Sequence, residues 1–513
     1  MTGSALKSLL ANPDVALISG GSQYPKESPF HPVEIYPEYP HAEKHTDPGN
    51  RVYTMVRESL RLLGMDKANF GGPDWNPLGD LISPGERVLI KPNFVLHFNA
   101  GKGPLDAVIT HPSVIRAISD YVIIALRNAG ELVVGDAPQM NCDFAALCQA
   151  SGMDELAKYL ESACARRGIT FKLADFREEQ TRYKYGIVWE RKPLAGSEPI
   201  RVRIGTESFM ETVDRRLLYG ADYHRRATVQ AHEGHRHEYV VARQVLSSDV
   251  VISAPKLKVH RKVGATLNLK NMVGINTDKN HLAHYRIGSP ASGGDEFSNP
   301  GWQDRVERAL SDILLGNSWR FGKYPFLAWR AFRKALRHFT NNSARSSFGY
   351  GNWHGNDTAW RMVLDLNRIL LFADARGRLQ DRPARKYFSV VDGVIGGEGE
   401  GPLHPDAVPS GVVLAGFNPV AVDWVATRVM GVDARRIPLY RNALTQAREW
   451  IPDFAIERIR VLTNIAKWQD VLRNEEVIYS FRAPAGWRGK IELLEPAPGS
   501  PVQEETAFGM LSQ

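Results

Sequence analysis

The feature that most constrains this chain lies between residues 87 and 136, where strand and helix alternate. RVLI (87–90) is a short apolar strand ending at Lys91, Pro92 and Asn93. ITHPSVIRAISDYVIIALRNAG (109–130) has helical periodicity, with Thr110 placed as its cap, Pro112 in the first turn and Gly130 where a helix commonly stops. ELVVGD (131–136) is a strand again. Two strands joined through a helix form a βαβ unit, and that unit requires a parallel sheet. Three later apolar segments extend it: DVVISA (249–254), YFSVVDG (387–393) and GVVLAG (411–416). After the last, Asn418 and Pro419 open a helix, VAVDWVATRVMG. The predicted fold class is therefore α/β, a mostly parallel central sheet flanked by helices, with irregular insertions and a basic amphipathic helical insertion.

The predicted organisation follows. Residues 1–85 are an irregular arm and a helix (RVYTMVRESLRLLGM, 51–65), and 86–300 hold the first part of the core, with a polar insertion near 175–245. Residues 301–350 are a basic, aromatic insertion, 351–480 the second part of the core, and 481–513 a loose tail. A chain that is 43% hydrophobic and 24% charged is globular rather than disordered or fibrous. It has no apolar run long enough to span a bilayer and no secretory signal at its N-terminus. Cys142, Cys148 and Cys164 form no CxxC pair and no iron–sulfur motif, which fits a reducing, cytoplasmic setting. The net charge of +7 is local: Ile313 to Asn356 holds seven Lys or Arg and no acid, so the remainder is balanced and no nucleic-acid partner is expected.

Polar residues follow the strands. RVLI leads to Lys91 and Asn93, ELVVG to Asp136, DVVISAP to Lys256 and FSVV to Asp392. Ligands of open parallel sheets bind beyond the carboxyl ends of the strands. PKLKVHRK (255–262) places Lys256, Lys258, His260 and Lys262 on one face of an extended chain, an arrangement that repels itself unless anions sit among the cations. ATLNLKNMVG then starts a helix and adds Asn268, Lys270 and Asn271 as candidate binding residues. The glycine-rich DGVIGGEGEGP (392–402) lacks the phosphate-loop pattern; as an acidic loop its Asp392, Glu398 and Glu400 would counter the lysines, hold a divalent cation or bind sugar hydroxyls.

Histidines cluster in HEGHRHE (His232, His235, His237), a solvated loop whose spacing misses the zinc-protease pattern, and in NHLAHY (His281, His284). WHGNDTAW (353–360) suits a polyol through His354, Asn356 and Asp357, while Asn356 or Asp357 equally well caps a helix. NSWRFGKYPFLAWRAFRKALRHF (317–339) is aromatic, cationic and acid-free, the composition of a helix in an anionic membrane interface; a core-packed helix with a solvated basic face is the alternative.

Taken in order, IKPNF, THPSVIRA, VVGDAP, SAPKLKVH, GATLNLKNMVG, VVDGVIGGEGEGP and NPVAVDWVATRVMG resemble the family called domain of unknown function 362, over roughly residues 86–432. The resemblance implies an α/β fold with these motifs in one cleft, and no established reaction. EGHRH, SGGDEF and WHGNDTAW are similar to members associated with bacterial surface-polysaccharide gene clusters. Some members carry ferredoxin-like cysteine motifs; this chain does not. The family also looks distantly similar to nickel-pincer lactate racemases.

The expected function is an enzyme acting on a small or glycan-linked anion. Lys258, His260, Lys91 and Asp392 are its catalytic candidates; Lys256, Lys262, Asn93, Asp136, Asn268, Lys270, Asn271, Glu398 and Glu400 are its binding candidates. The cofactor is unknown, with a divalent metal left open. The alternatives are a non-catalytic scaffold docked on the inner membrane face by 317–339, and a metal or redox enzyme built on the histidines.

Overall fold

The computed structural model describes residues 3–184, 187–195, 198–220, 225–314, 324–329, 331–332, 348–447, 455–473 and 477–493. Its centre is an 11-stranded sheet. In chain order the strands are β1 (Val15–Ser19), β2 (Arg87–Pro92), β3 (Gly130–Asp136), β4 (Ile169–Asp175), β5 (Val250–Ala254), β6 (Lys256–His260), β7 (Gly264–Thr266), β8 (Lys386–Glu400), β9 (His404–Val408), β10 (Val412–Gly416) and β11 (Val461–Thr463). The spatial order is β11-β1-β10-β8-β5-β2-β3-β4, with β6 beside β8 and β7, and β9 beside β8. Strands β8, β5, β2, β3 and β4 run parallel; β10 and β9 are antiparallel to β8.

Apolar runs become central strands because both sheet faces are covered. Alternate residues feed two cores. Val88, Ile90, Leu132, Val134, Val250, Ile252 and Phe388 pack with helices α1 (Arg51–Leu62), α2 (Pro112–Leu126) and α3 (Met153–Ala165). Leu89, Val133, Val251, Tyr387 and Val391 face the other way, against α5 (Ala359–Phe372) and α6 (Pro419–Val429). The short helix α4 (Asn268–Asn271) lies on that second side.

Several local expectations change. The cap of α2 is His111, whose Nδ1 accepts from the Ser113 N–H. Thr110 instead accepts the Asn93 N–H and donates to the Ala254 carbonyl, tying β2 to β5. Gly130 begins β3. The arm is not wholly irregular, since β1 inserts between β10 and β11. The described part of the tail, residues 481–493, is anchored as well: Phe481, Trp487 and Ile491 are buried, and the Trp487 Nε1–H donates to the Arg261 carbonyl. The glycine-rich stretch is not a loop. It is the second half of β8, where glycines let the backbone pass close to its neighbours: a Cβ on Gly397 would stand 2.8 Å from the Ala107 carbonyl and 3.0 Å from Lys258 Cβ.

Candidate functional site

The strand order creates the crevice. From β2 the chain steps outward to β3 and β4, then returns to lay β5 on the other side of β2. Such a reversal opens a gap beyond the carboxyl ends of the two strands, because their following segments leave on opposite faces. Here α2 follows β2 on one face, and the segment from β6 to α5 follows β5 on the other.

Two buried ion pairs flank that gap. Lys91 Nζ is 2.8 Å from Asp136 Oδ1 and donates to the Pro92 carbonyl and to Asn271 Oδ1. Asn271 returns two bonds from its amide, to the Lys91 carbonyl and Ser253 Oγ. Asp136 Oδ2 accepts the Phe94 N–H at 2.6 Å. Gly274 seals this pair: a Cβ there would meet Asp136 Oδ1 at 1.9 Å and Lys91 Nζ at 2.6 Å.

In the second pair Lys256 Nζ lies 2.6 Å from Asp392 Oδ2 and 2.7 Å from Tyr24 Oη. Tyr24 donates to Asp392 Oδ1 at 2.6 Å, and its ring stacks on His111 with 4.0 Å between centroids. The His111 backbone N–H donates to Asp392 Oδ2. Burial pushes the Tyr24 hydroxyl upward and the His111 imidazole downward, so both are neutral.

Between the pairs lies a set of amines, buried except for the half-buried Lys262, that have no ion pair among the described residues. Lys258 donates to the Val108 carbonyl, which also accepts from Asn93 Nδ2. Lys262 donates to the Tyr350 carbonyl and lies over the Tyr285 ring. Lys279 donates to the carbonyls of Val273 and Asn276. Lys270 makes no hydrogen bond among the described residues, and it is the hub: its charge acts on Lys258, His260, Lys279 and His284, while those of Lys262 and Lys91 act on it. Burial first, then the charges of Lys262 and Lys91, bring Lys270 down to about 7; burial, then Arg261 and Arg308 against the pull of Asp295, does the same for Lys262. Lys279 is also brought to about 7, by burial. The same causes hold His260 and His284 well below the ordinary histidine range. His260 is therefore a neutral imidazole whose Nδ1 accepts the Lys262 N–H, which leaves the ring proton on Nε2. The side chains of Lys256 and Lys258 are fully enclosed, whereas His260, Lys270 and His284 keep 6–8% of their surface.

The structure thus brings Lys91, Asp136, Asn271, Lys256, Asp392, Lys258, Lys262, Lys270, His260 and Asn93 to one edge of the sheet. Asn268 serves the frame: it bonds Asp423 through its backbone N–H and Nδ2, and its Oδ1 accepts from Tyr387. Glu398 and Glu400 turn to other partners. Glu398 accepts the Arg482 N–H; Glu400 accepts the Ala485 N–H and pairs with Arg261 at 3.0 Å. Sequence reading missed Tyr24 and His111, and it placed His284 with His281 rather than with the lysines.

The histidine-rich loop is solvated only in its middle, where Glu233, Gly234 and His235 are exposed. His232 and His237 are buried, 3.2 Å apart between Nδ1 atoms, and His237 and His235 both bond Glu211. Among the described residues no three His, Cys, Asp or Glu side chains gather as a metal cluster. Asn356 acts as the helix cap, accepting from Thr358 and Ala359 while its amide ties the His284 and Gly351 carbonyls. Of the membrane-interface segment, 324–329 and 331–332 are described, with Tyr324 and Phe332 exposed and Phe326 buried; the rest lies outside the described residues. Among the described residues no helix is long and apolar enough to cross a membrane.

Comparison with known proteins agrees with this picture at family level. The chain is 21% identical over 363 residues, 70% of its own length and 68% of the other, to the thylakoid-associated protein sll1697 of Synechocystis sp.. No solved structure matches it. The description "domain of unknown function" 362 matches residues 88–181 and 203–428. Those two blocks carry β2, β3, β5 and β8 together with every lysine of the crevice, and on that match the chain belongs to this family.

Proposed function

We propose that the crevice binds an anionic substrate and that the protein is an enzyme acting on it. The observation that carries this reading is Lys270: a buried amine without a hydrogen bond among the described residues, set among six further amine or imidazole groups. Charging such a group without a partner costs several kcal/mol, and an anion offsets that cost directly. Lysines near neutrality supply both forms needed for proton transfer, the neutral amine as base and the ammonium as oxyanion partner. His260 and His284 add neutral imidazoles beside these amines. In this arrangement Lys256, Asp392, Tyr24 and His111 hold one wall, and Lys91, Asp136 and Asn271 the other. The likeness of the EGHRH and WHGNDTAW stretches to polysaccharide-cluster members makes a carbohydrate-linked anion the first substrate class to assay.

Titrating the protein with inorganic phosphate while following its melting temperature tests the reading. The wild type gains stability with ligand concentration. Lys270→Met loses at least about tenfold in apparent affinity, about 1.4 kcal/mol. An unchanged melting temperature with phosphate, carboxylates and sugar phosphates alike removes the reading.

A separate observation favours a peripheral membrane role beside this one. Val306, Ile313, Tyr324, Phe332 and Phe348 are exposed, within or beside the acid-free stretch with seven basic residues. The relative in Synechocystis is named as thylakoid-associated. Flotation with vesicles rich in anionic lipid checks it: binding is expected to require the anionic lipid and to fall when Ile313 and Phe332 become Glu. Equal recovery with neutral vesicles sinks it.

A further inference from the structure

Resting on that reading of the crevice, we infer that its ligand carries at least two negative charges, as a phosphoryl or diphosphoryl group does, and that the lysines take up protons as it enters. Charge comes first. Asp136 and Asp392 are each engaged by their own lysine, Asp106 faces Lys256, and Asp295, which with Arg261 and Arg308 faces Lys262, is held by Arg286 and Thr358; this leaves Lys258, Lys262, Lys270 and Lys279 as four amines without an ion pair among the described residues. A monoanion such as a carboxylate balances one of them. Placing it there would leave the remainder either repelling one another in a medium that screens poorly or deprotonated and idle toward the ligand.

Donor count points the same way. An ammonium offers three N–H groups. Lys258 and Lys262 each spend one on a backbone carbonyl, Lys279 spends two, and Lys270 spends none among the described residues. The donors that remain exceed what two carboxylate oxygens accept, and they match the several oxygens of a phosphoryl group. Access is consistent with this count. The Lys91–Asp136 pair is sealed beneath Gly274, and Lys256 and Lys258 are enclosed, so the half-buried Lys262 and the residual surface at His260, Lys270 and His284 mark the side from which the ligand meets the cluster.

Proton uptake follows from electrostatics. Empty, the cluster relieves its repulsion by shedding protons; a polyanion among the amines favours the ammonium forms and draws them back. Calorimetric titration of the full chain near pH 7.5 with acetate, inorganic phosphate and pyrophosphate, in two buffers of different ionisation enthalpy, measures both parts. Pyrophosphate is expected to bind at least about tenfold more tightly than acetate, with a buffer-dependent heat equal to one or more protons taken up. Lys262→Met and Lys270→Met each reduce that uptake. Both replace a buried amine by an apolar side chain of similar length, so they should fold, and a melting curve without ligand verifies it. Acetate binding as tightly as pyrophosphate, or heats independent of the buffer, overturns this inference while leaving an anion site standing. Failure of every anion to bind overturns the site as well.

Discussion

Tyr24 shows what one hydroxyl does in this fold. It donates to Asp392 Oδ1 and accepts from Lys256 Nζ, and Lys256 in turn contacts the other Asp392 oxygen, closing a triangle beside the His111 ring. Tyr24→Phe keeps the stacking and removes the bridge, leaving Asp392 Oδ1 only a 3.3 Å contact with the Val394 N–H. A buried carboxylate oxygen stripped of a strong donor costs about 1–3 kcal/mol. Denaturant unfolding of the variant should show a loss in that range. Wild-type stability would mean that the triangle is not what holds the arm. No signal in the arm's own sequence announces this role: the partner carboxylate is 368 residues away, and nothing local distinguishes Tyr24 from Tyr36 or Tyr39.

Among the elements, the second half of β8 and the short helix α4 bring the chemistry together. Asp423, projecting from α6, accepts the N–H groups of Asn268 and Leu269 and the Asn268 amide; burial lifts it to about 7 despite those bonds. It thereby fixes the turn that carries Lys270 and Asn271. Immediately beyond, Gly274 passes over the Lys91–Asp136 pair without room for a side chain. Gly274→Ala forces the backbone off that pair; overpacking of this kind costs about 1–3 kcal/mol, and here the strain falls on the anion site. The expected result is a lower melting temperature together with weaker phosphate binding. Intact binding would show that the site does not depend on this contact.

The convergence of strand ends was readable because parallel strands are continuous apolar runs, and the residue after each run is placed by topology alone. The reach of β8 was not, since GGEGEG carries every mark of a loop. Its ladder partner is local, β9 pairing with Gly396–Glu400 across a turn, while the Ala107 carbonyl and Lys258 that crowd Gly397 are distant in sequence. The same limit hid the fate of Glu398 and Glu400, whose partners, the Arg482 and Ala485 N–H groups, come from a segment read as a loose tail.

At the scale of the whole molecule, an open sheet with two apolar cores holds a charged seam that the folded state tolerates by deprotonation. Lys262, Lys270 and Lys279 are each lowered to about 7, chiefly by burial, from the ordinary lysine range near 10.5. The sign follows from linkage. Between about pH 7 and pH 10 the unfolded chain holds protons on these lysines that the folded chain has released, so unfolding binds protons and stability rises with pH. Below pH 7 both states are protonated and the full penalty is present. Asp423, also near 7, is ionised in both states above that pH and adds no slope there. The ligand-free protein should therefore grow more stable from pH 7 toward pH 10, where most proteins have passed their optimum, with each lysine adding up to about 1.4 kcal/mol per pH unit. Denaturant midpoints across that range check the rise. Saturating phosphate should flatten it, because a bound anion restores the ammonium forms, and Lys270→Met should remove one lysine's share. Stability that falls steadily above pH 7 without ligand would show that these amines keep their protons in the folded state, and the seam would then need another source of compensation.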